Sequence, residues 1–509
     1  MSESQDARLT FVDTSLRDGN QSLWGAVGVT TGMAETALAA IDRIGLAAID
    51  YTSSTNLLMG SKTHRENPWE RISRARAAAP RTPLSAITTG MRFMSWERAS
   101  ETVMRMSLRL MARHGLRRLQ IADPMNEVAS VSTVARWAKE EGFEIVVAAT
   151  TFTESPVHTD LAYFDAARRF SADPNIDAVY IKDPGGLLTV ERTASLVSGM
   201  RDAVVGKPLE LHGHCTTGEA PLVYLRAVAL GVDAVHTGIG ALSNGTAQPQ
   251  LEATIQNLEA AGVALDLDRA ALAEAGEIIG AMAAQQRLEP GPIMPFDLRP
   301  HVHQVPGGMM GTLRRQLSEL GMVELVPAVV EEAKRVRADL GYPIMVTPFS
   351  QFVGSQALMN VLAERSGQDR YSRIPDEVVR FVLGQFGTPV GPIAPDVVER
   401  VTSLPRAREL QHDPDSRTLD ELHADYAKRF GRTLDEEELL LRLVMAEDVL
   451  ESVLASGSAP GWQPRASASS ATDFVDAVRR LPNWKHLRVV RGGDEIELVR
   501  AEHESGAAR

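Results

Sequence analysis

A single cysteine, Cys215, in 509 residues excludes an internal disulfide and a zinc-thiolate cluster, and agrees with a reducing compartment. Long apolar runs are missing too. None approaches the roughly 18 residues needed to span a bilayer, and the polar stretch Met1 to Arg8 lacks the apolar core of a signal peptide. The expectation is a cytoplasmic protein with no membrane span. Positive charge is in deficit: 53 Lys and Arg face 66 Asp and Glu, for a formal net charge of -13. With no basic arm or stripe, that balance disfavours nucleic acid and anionic membranes as partners. No Gly-rich dinucleotide fingerprint follows any candidate strand, which argues against a Rossmann domain.

What remains is an ordinary globular composition, 44% hydrophobic and 23% charged, in a chain long enough for several domains. From residue 8 to about 265, short β-branched runs recur at regular intervals, separated by Ala-, Arg- and Glu-rich stretches of helical periodicity. The predicted strands are Leu9 to Asp13, Ala47 to Thr52, Leu84 to Thr88, Arg118 to Ala122, Ile145 to Ala149, Ile176 to Lys182, Leu209 to His214 and Asp233 to Thr237. Their number and span fit a (β/α)8 TIM barrel over residues 1–265. Helical stretches dominate residues 266–457, read as a helical C-terminal domain. A Gly/Ser/Ala/Pro-rich linker follows at 458–472, and residues 473–509 offer one helix and two short strands as an accessory or assembly tail.

Catalytic groups of such barrels sit at the C-terminal ends of the strands. The first strand ends in Arg17, Asp18 and Gln21, the sixth in Lys182 and Asp183, and the seventh in His212-Gly213-His214. Residues two apart on a strand share a face, so the two imidazoles project together. With the Asp18 carboxylate they make a mixed nitrogen and oxygen set suited to Zn, Mn or Co rather than Ca. Lys182 is the awkward member, because an ammonium next to a divalent cation is repelled. Either it is deprotonated or carbamylated, or it turns away into an ion pair with Asp183; spacing alone favours the ion pair.

Asp13 to Trp24, which reads Asp-Thr-Ser-Leu-Arg-Asp-Gly-Asn-Gln-Ser-Leu-Trp, resembles the opening motif of the carboxyltransferase domains of pyruvate carboxylase, oxaloacetate decarboxylase and the keto-acid subunit of transcarboxylase. These belong to the wider barrel superfamily of hydroxymethylglutaryl lyase. The likeness continues in order through Glu66 to Arg71, Ser155 to Thr159, Lys182 to Leu188, His212 to Gly218, Pro306 to Met310 and Val346 to Gly354, covering about residues 8 to 400. The resemblance implies a divalent metal held by Asp18, His212, His214 and a carbamylated Lys182. It also implies transfer of a carboxyl group between biotin and an enolised 2-oxo acid, with Arg17 and Gln21 at the substrate oxygens.

Three departures fall on substrate-reading positions. The family's third strand ends in an arginine and glycine where this chain has Thr89-Gly90, leaving Arg92 as the candidate replacement. Gly311 stands where the family has a hydroxyl that shuttles a proton to biotin, with Thr312 next to it, and Tyr51-Thr52-Ser53-Ser54 replaces a Trp-Gly-Gly stretch. An acceptor other than pyruvate is therefore expected. The chain has neither an Ala-Met-Lys-Met biotinylation signature nor an ATP-grasp region. Biotin is accordingly expected in trans, on a biotin carboxyl carrier protein working with a biotin carboxylase subunit, and the chain is expected to form a homo-oligomer. The alternatives are a metal-dependent Claisen or aldol lyase of the same superfamily, or a non-catalytic scaffold of a carboxylase complex. His301 and His303 are read as loop residues, Cys215 as a packed thiol, and Met104 to Met111 as helix core.

Overall fold

The computed structural model describes residues 9–94, 98–304, 321–411 and 416–464, scattered positions from 310 to 319, and strands at 486–491 and 494–499. Eight parallel strands close into a barrel: β1 Thr10–Asp13, β2 Ala48–Ser53, β3 Leu84–Thr88, β4 Arg118–Ile121, β5 Ile145–Thr151, β6 Ala178–Asp183, β7 Leu209–Gly213 and β8 Ala234–Thr237. Closure comes from β1 lying between β2 and β8, with Phe11 opposite Val235 and Val12 opposite His236. The predicted strands match these within about two residues at each end, the margin at which helix and strand ends are ordinarily defined.

Apolar burial divides unequally between the two faces of the barrel wall. Most of it lies outside, where residues such as Leu16, Ile49, Leu119 and Leu211 meet the surrounding helices. The inside holds only a small apolar cluster around Ile87, Val147, Ala149, Ala178 and Tyr180. Interior space that barrels ordinarily fill with layers of branched aliphatics is taken here by Arg118, Gln120, Glu210, His212 and His236, all buried. Arg118 on β4 reaches Glu210 on β7 at 2.5 Å, a contact between non-adjacent strands that must cross the interior.

The helical stretch after the barrel has two kinds of packing. Residues 313–410 build their own core around Phe349, Phe352, Phe381 and Phe386, the last three with ring centroids 5.4 to 5.6 Å from that of Phe349. Helices Leu419–Phe430, Glu436–Val444 and Glu447–Ser456 instead return to the barrel's outer layer, where Leu439, Leu440 and Leu450 join the same core as Trp69. Arg109 and Arg113 of helix Glu101–Arg113, which also buries Met104, Met106 and Met111, hold Glu436 at 2.9 Å. Among the described residues no helix is long and apolar enough to cross a membrane.

Compact structure divides into residues 1–463 and 464–509. Much of the stretch read as linker lies outside the described residues, as does the predicted helix Asp473 to Arg480. The second unit shows an antiparallel pair, His486–Arg491 with Asp494–Val499, in register from Asp494 opposite Arg491. The start of the Gly/Ser/Pro-rich segment is docked rather than loose. Ala459 donates to Glu70 at 3.2 Å and accepts from Arg74 at 2.5 Å, Trp462 accepts from Thr36 at 2.8 Å, and Gly461 bridges to Gly32. Gly32 permits this approach, since a Cβ there would meet Pro460 O at 2.5 Å and Trp462 N at 2.8 Å. Gly32→Ala is expected to release residues 459–462, read as new proteolytic cleavage in that segment with little change in the melting temperature of the barrel.

Candidate active site and metal-binding cluster

The floor of the site begins where β1 ends. Instead of leaving the barrel, the chain makes a wide π-helical turn, Ser15–Gly19, in which Gly19 N donates to Thr14 O at 3.0 Å. The turn carries Arg17 and Asp18 inward to full burial. Gly19 is required there because a Cβ would run into the Leu242 carbonyl. Arg17 Nε donates to Asp50 Oδ2 at 2.7 Å, its Nη2 pairs with the same oxygen, and its Nη1 lies 3.1 Å from Asp18 Oδ2. Burial opposes the guanidinium charge, but the two carboxylates outweigh it and raise the Arg17 pKa.

Asp18 Oδ2 lies 3.0 Å from His212 Nε2 and 3.4 Å from His214 Nε2, and the two Nε2 atoms are 3.2 Å apart. His214 Nδ1 sits 2.6 Å from the Thr246 carbonyl, which can only accept, so that nitrogen carries the hydrogen and neutral His214 has a bare Nε2. The three side chains form a cluster that could hold a metal ion. The donors fit a divalent cation in kind, two imidazoles and a carboxylate, and in their convergence on one buried space. Burial would raise the Asp18 carboxyl, but Arg17 and the two histidines hold it well below the usual range. Burial and the neighbouring Lys182 push His212 well below its ordinary value.

Lys182 does not take the ion pair that spacing favoured. Asp183 faces the other way and accepts from Leu187 N at 2.9 Å and Leu188 N at 2.7 Å, as neighbouring strand residues on opposite faces must. Lys182 Nζ instead stands 3.2 Å from His212 Nε2. Burial, aided by Arg17 and opposed by Asp18, lowers its pKa to about 8.

Arg17, Asp18, Gln21, Lys182 and His214 line one cavity of about 840 Å³, together with Thr89 and Arg92 and, from the helical region, Met345, Ser350 and Gln351. Arg92 Nη1 donates to Thr89 O at 3.0 Å and its guanidinium lies 4.9 Å from the Phe386 ring centre. Gly311, Thr312 and Pro306 to Met309 lie outside the described residues. His301 falls in the short helix Arg299–His303, away from the cluster's hydrogen bonds. Burial pushes the Cys215 thiol up to about 12, so it offers no thiolate.

Three groups at the floor escaped sequence reasoning. Gln248 bridges it: its Oε1 accepts from Thr14 at 2.8 Å, and its Nε2 lies 3.1 Å from both Asp18 Oδ2 and His212 Nε2. It stands in an irregular Asn/Gly/Pro loop, where no periodicity marks a side chain. Asp50, the Arg17 partner, and Glu210, two residues before His212, did leave a signal: each is an acid between two apolar residues of a buried strand, Ile49 and Tyr51 or Leu209 and Leu211. Glu210 is held at about 2, because Arg118 and His236 outweigh the burial that would raise it.

Comparison with known proteins gives two family matches, HMGL-like over residues 8–279, more than half of the chain, and a conserved carboxylase domain over residues 301–481. A pyruvate carboxylase subunit of Methanocaldococcus jannaschii is 33% identical over 392 residues, 77% of this chain and 68% of that one. Its namesake from Methanothermobacter thermautotrophicus is 30% identical over 496 residues, 96% of this chain and 84% of that one. The 2-oxoglutarate carboxylase large subunit of Hydrogenobacter thermophilus is 28% identical over 442 residues, 85% of this chain and 66% of that one. Among solved structures, the carboxyl transferase domain of Rhizobium etli pyruvate carboxylase with pyruvate shares the fold, with a TM-score of 0.78 at 24% identity, covering 89% of this chain and 77% of that one.

The buried Arg17 and Asp50 pair makes a direct prediction. Asp50→Ala leaves the buried guanidinium with Asp18 as its remaining partner and is expected to cost about 1.5–3 kcal/mol in urea unfolding. Replacing both partners by apolar residues of similar volume is expected to cost much less.

Proposed function

The chain belongs to the HMGL-like family, as an enzyme of the carboxylase and carboxyltransferase type, and from that premise we propose that it moves a carboxyl group between biotin, carried on a separate polypeptide, and an enolisable 2-oxo acid. The observation that carries the reading is the cluster of Asp18, His212 and His214 at the floor of an 840 Å³ cavity, with Lys182 Nζ 3.2 Å from His212 Nε2. In this reading Asp18, His212, His214 and a carbamylated Lys182 hold a divalent metal, Zn, Mn or Co. Bound there, the cation supplies fixed positive charge for the oxygen of a developing enolate.

The protein's own residues do the rest. The neutral Lys182 amine takes up CO2 and releases a proton, which turns a repelled cation into an anionic oxygen ligand. Arg17, pinned by Asp50, offers a guanidinium of fixed direction to the acceptor's oxygens, and Gln21 adds an amide from the adjacent helix. Such preorganised donors stabilise charge without reorganising as it forms. Arg92, on the cavity wall beside Thr89, binds the acceptor's carboxylate in place of the family's third-strand arginine. Thr312 is kept as the hydroxyl near biotin in place of Gly311. The altered wall is the reason for proposing an acceptor other than pyruvate.

A biotin carboxyl carrier protein and a biotin carboxylase subunit complete the reaction, since two of the relatives are themselves named as subunits of a pyruvate carboxylase rather than as the whole enzyme. A homo-oligomer and a cytoplasmic location belong to the same reading. So do the domain limits 1–265, 266–457, 458–472 and 473–509, with the last as an assembly element. The lyase and scaffold alternatives are less well supported, because the conserved carboxylase domain follows the barrel and all four ligand positions are retained.

Metal analysis with native peptide mass is expected to find one divalent ion per chain and Lys182 heavier by one CO2; Asp18→Ala should lose the metal. With biocytin, decarboxylation of a panel of carboxylated 2-oxo acids should single out an acceptor other than pyruvate. Efficient transfer to pyruvate would overturn that choice of acceptor, and no transfer to any 2-oxo acid would overturn the function. Arg92→Met should raise KM for the acceptor about 10- to 100-fold with a smaller effect on kcat, the worth of one charged hydrogen bond.

A further inference from the structure

Behind the candidate metal cluster lies a line of buried polar groups that the proposed reaction does not use. His212 Nδ1, the nitrogen turned away from Asp18, is 3.2 Å from His236 Nδ1. His236 Nε2 is 2.9 Å from Glu210 Oε2, and that oxygen is 2.5 Å from Arg118 Nη2. All four side chains are buried in the barrel interior. Tyr180 stacks on the His236 ring, with centroids 5.5 Å apart and planes within 15°, and so fixes the plane of that ring.

We propose that Arg118, Glu210 and His236 are positioning residues that hold His212 as its Nδ1–H tautomer, keeping a lone pair on Nε2 for a divalent cation. Counting hydrogens decides the tautomer. Two ring nitrogens 3.2 Å apart share one hydrogen between them. Glu210, ion-paired with Arg118, can only accept, so His236 Nε2 carries a hydrogen. Arg118 and Glu210 already cancel, and a second hydrogen on His236 would leave an uncompensated charge in a closed interior. His236 is therefore neutral with a bare Nδ1, and the shared hydrogen belongs to His212.

The opposite side of the ring agrees. Asp18 Oδ2 can only accept, so the Gln248 nitrogen 3.1 Å from it is the NH2, which also faces His212 Nε2 at 3.1 Å, and a donor at that point needs an acceptor. His214 reaches the same state by a shorter route, through the Thr246 carbonyl. A carboxylate behind a ligand histidine is a common support. Here an intervening imidazole passes the demand along, so reversing the polarity of the terminal group reverses every hydrogen in the line.

This inference rests on reading Asp18, His212 and His214 as metal ligands, and its test separates the two. Glu210→Gln removes the charge to which both Arg118 and His236 Nε2 donate, so the hydrogen on His236 Nε2 is no longer enforced and the Nδ1–H form of His212 loses its support. With Zn2+ or Mn2+ alone as probe, competed against a chromogenic chelator, Glu210→Gln in the full chain should bind about 10- to 100-fold more weakly than the parent. Its metal-free melting temperature should fall, because Arg118 loses its counter-charge, so affinities are compared well below that temperature, and Glu210→Asp should recover most of both losses. Parental affinity in Glu210→Gln, or equal losses in Glu210→Gln and Glu210→Asp, would overturn the relay. Nitrogen-15 histidine spectra of the metal-free parent give a readout that depends on no variant: His212 should show the Nδ1–H tautomer, and an Nε2–H tautomer would overturn the relay. A parent that binds neither ion but shows the expected tautomer would instead overturn the metal reading and leave the relay standing.

Discussion

Three atoms with lone pairs, Asp18 Oδ2, His212 Nε2 and His214 Nε2, face one another at 3.0 to 3.4 Å in a buried space. Atoms of this kind so close together need a hydrogen or a cation between them, and the surrounding structure holds them there. The π-helical turn after β1 throws Asp18 inward. Strand alternation on β7 sets the histidines on one face. Arg17 neutralises part of the negative charge and is itself held by Asp50. With so much polarity inside, apolar stabilisation comes mainly from the layer between strands and helices, where burial is close to complete.

The helical region after the barrel takes part in the cavity wall. Met345, Ser350, Gln351 and Gly354 line it beside the strand ends. The Arg92 guanidinium lies over Phe386, which belongs to the four-phenylalanine core of that region. Arg337 reaches from helix Val326–Asp339 to Thr153 Oγ1 at 3.0 Å and to the Glu154 carbonyl, fastening the β5 loop. Neither part of residues 1–463 forms the pocket alone.

Much of this was legible in the sequence, for reasons that differ from one residue to the next. The strands announced themselves because burial on both faces demands β-branched runs. Asp18 and the His-x-His pair stood out because polar groups at strand ends have little else to do. Lys182 was misjudged on spacing, since adjacency along a strand implies opposite faces rather than a contact. Gln248 was invisible: it meets Asp18 across 230 positions from a loop with no pattern. The docked segment 459–462 was also hidden, because its hold on Glu70, Arg74 and Thr36 runs largely through main-chain atoms that composition cannot reveal.

The uneven placement of polarity in the barrel bears on how such a chain can diverge. The buried polar groups around the candidate metal cluster are packed inside the closed wall, where they pair across the interior, as Arg118 does with Glu210. The open rim of the cavity is instead lined by hydroxyls, those of Ser54, Thr55, Thr89 and Thr347 among them. Exchange of one interior group strands its partner, whereas exchange at the rim leaves only a reshaped surface. On this plan a change at the rim has a smaller structural cost than a change in the interior.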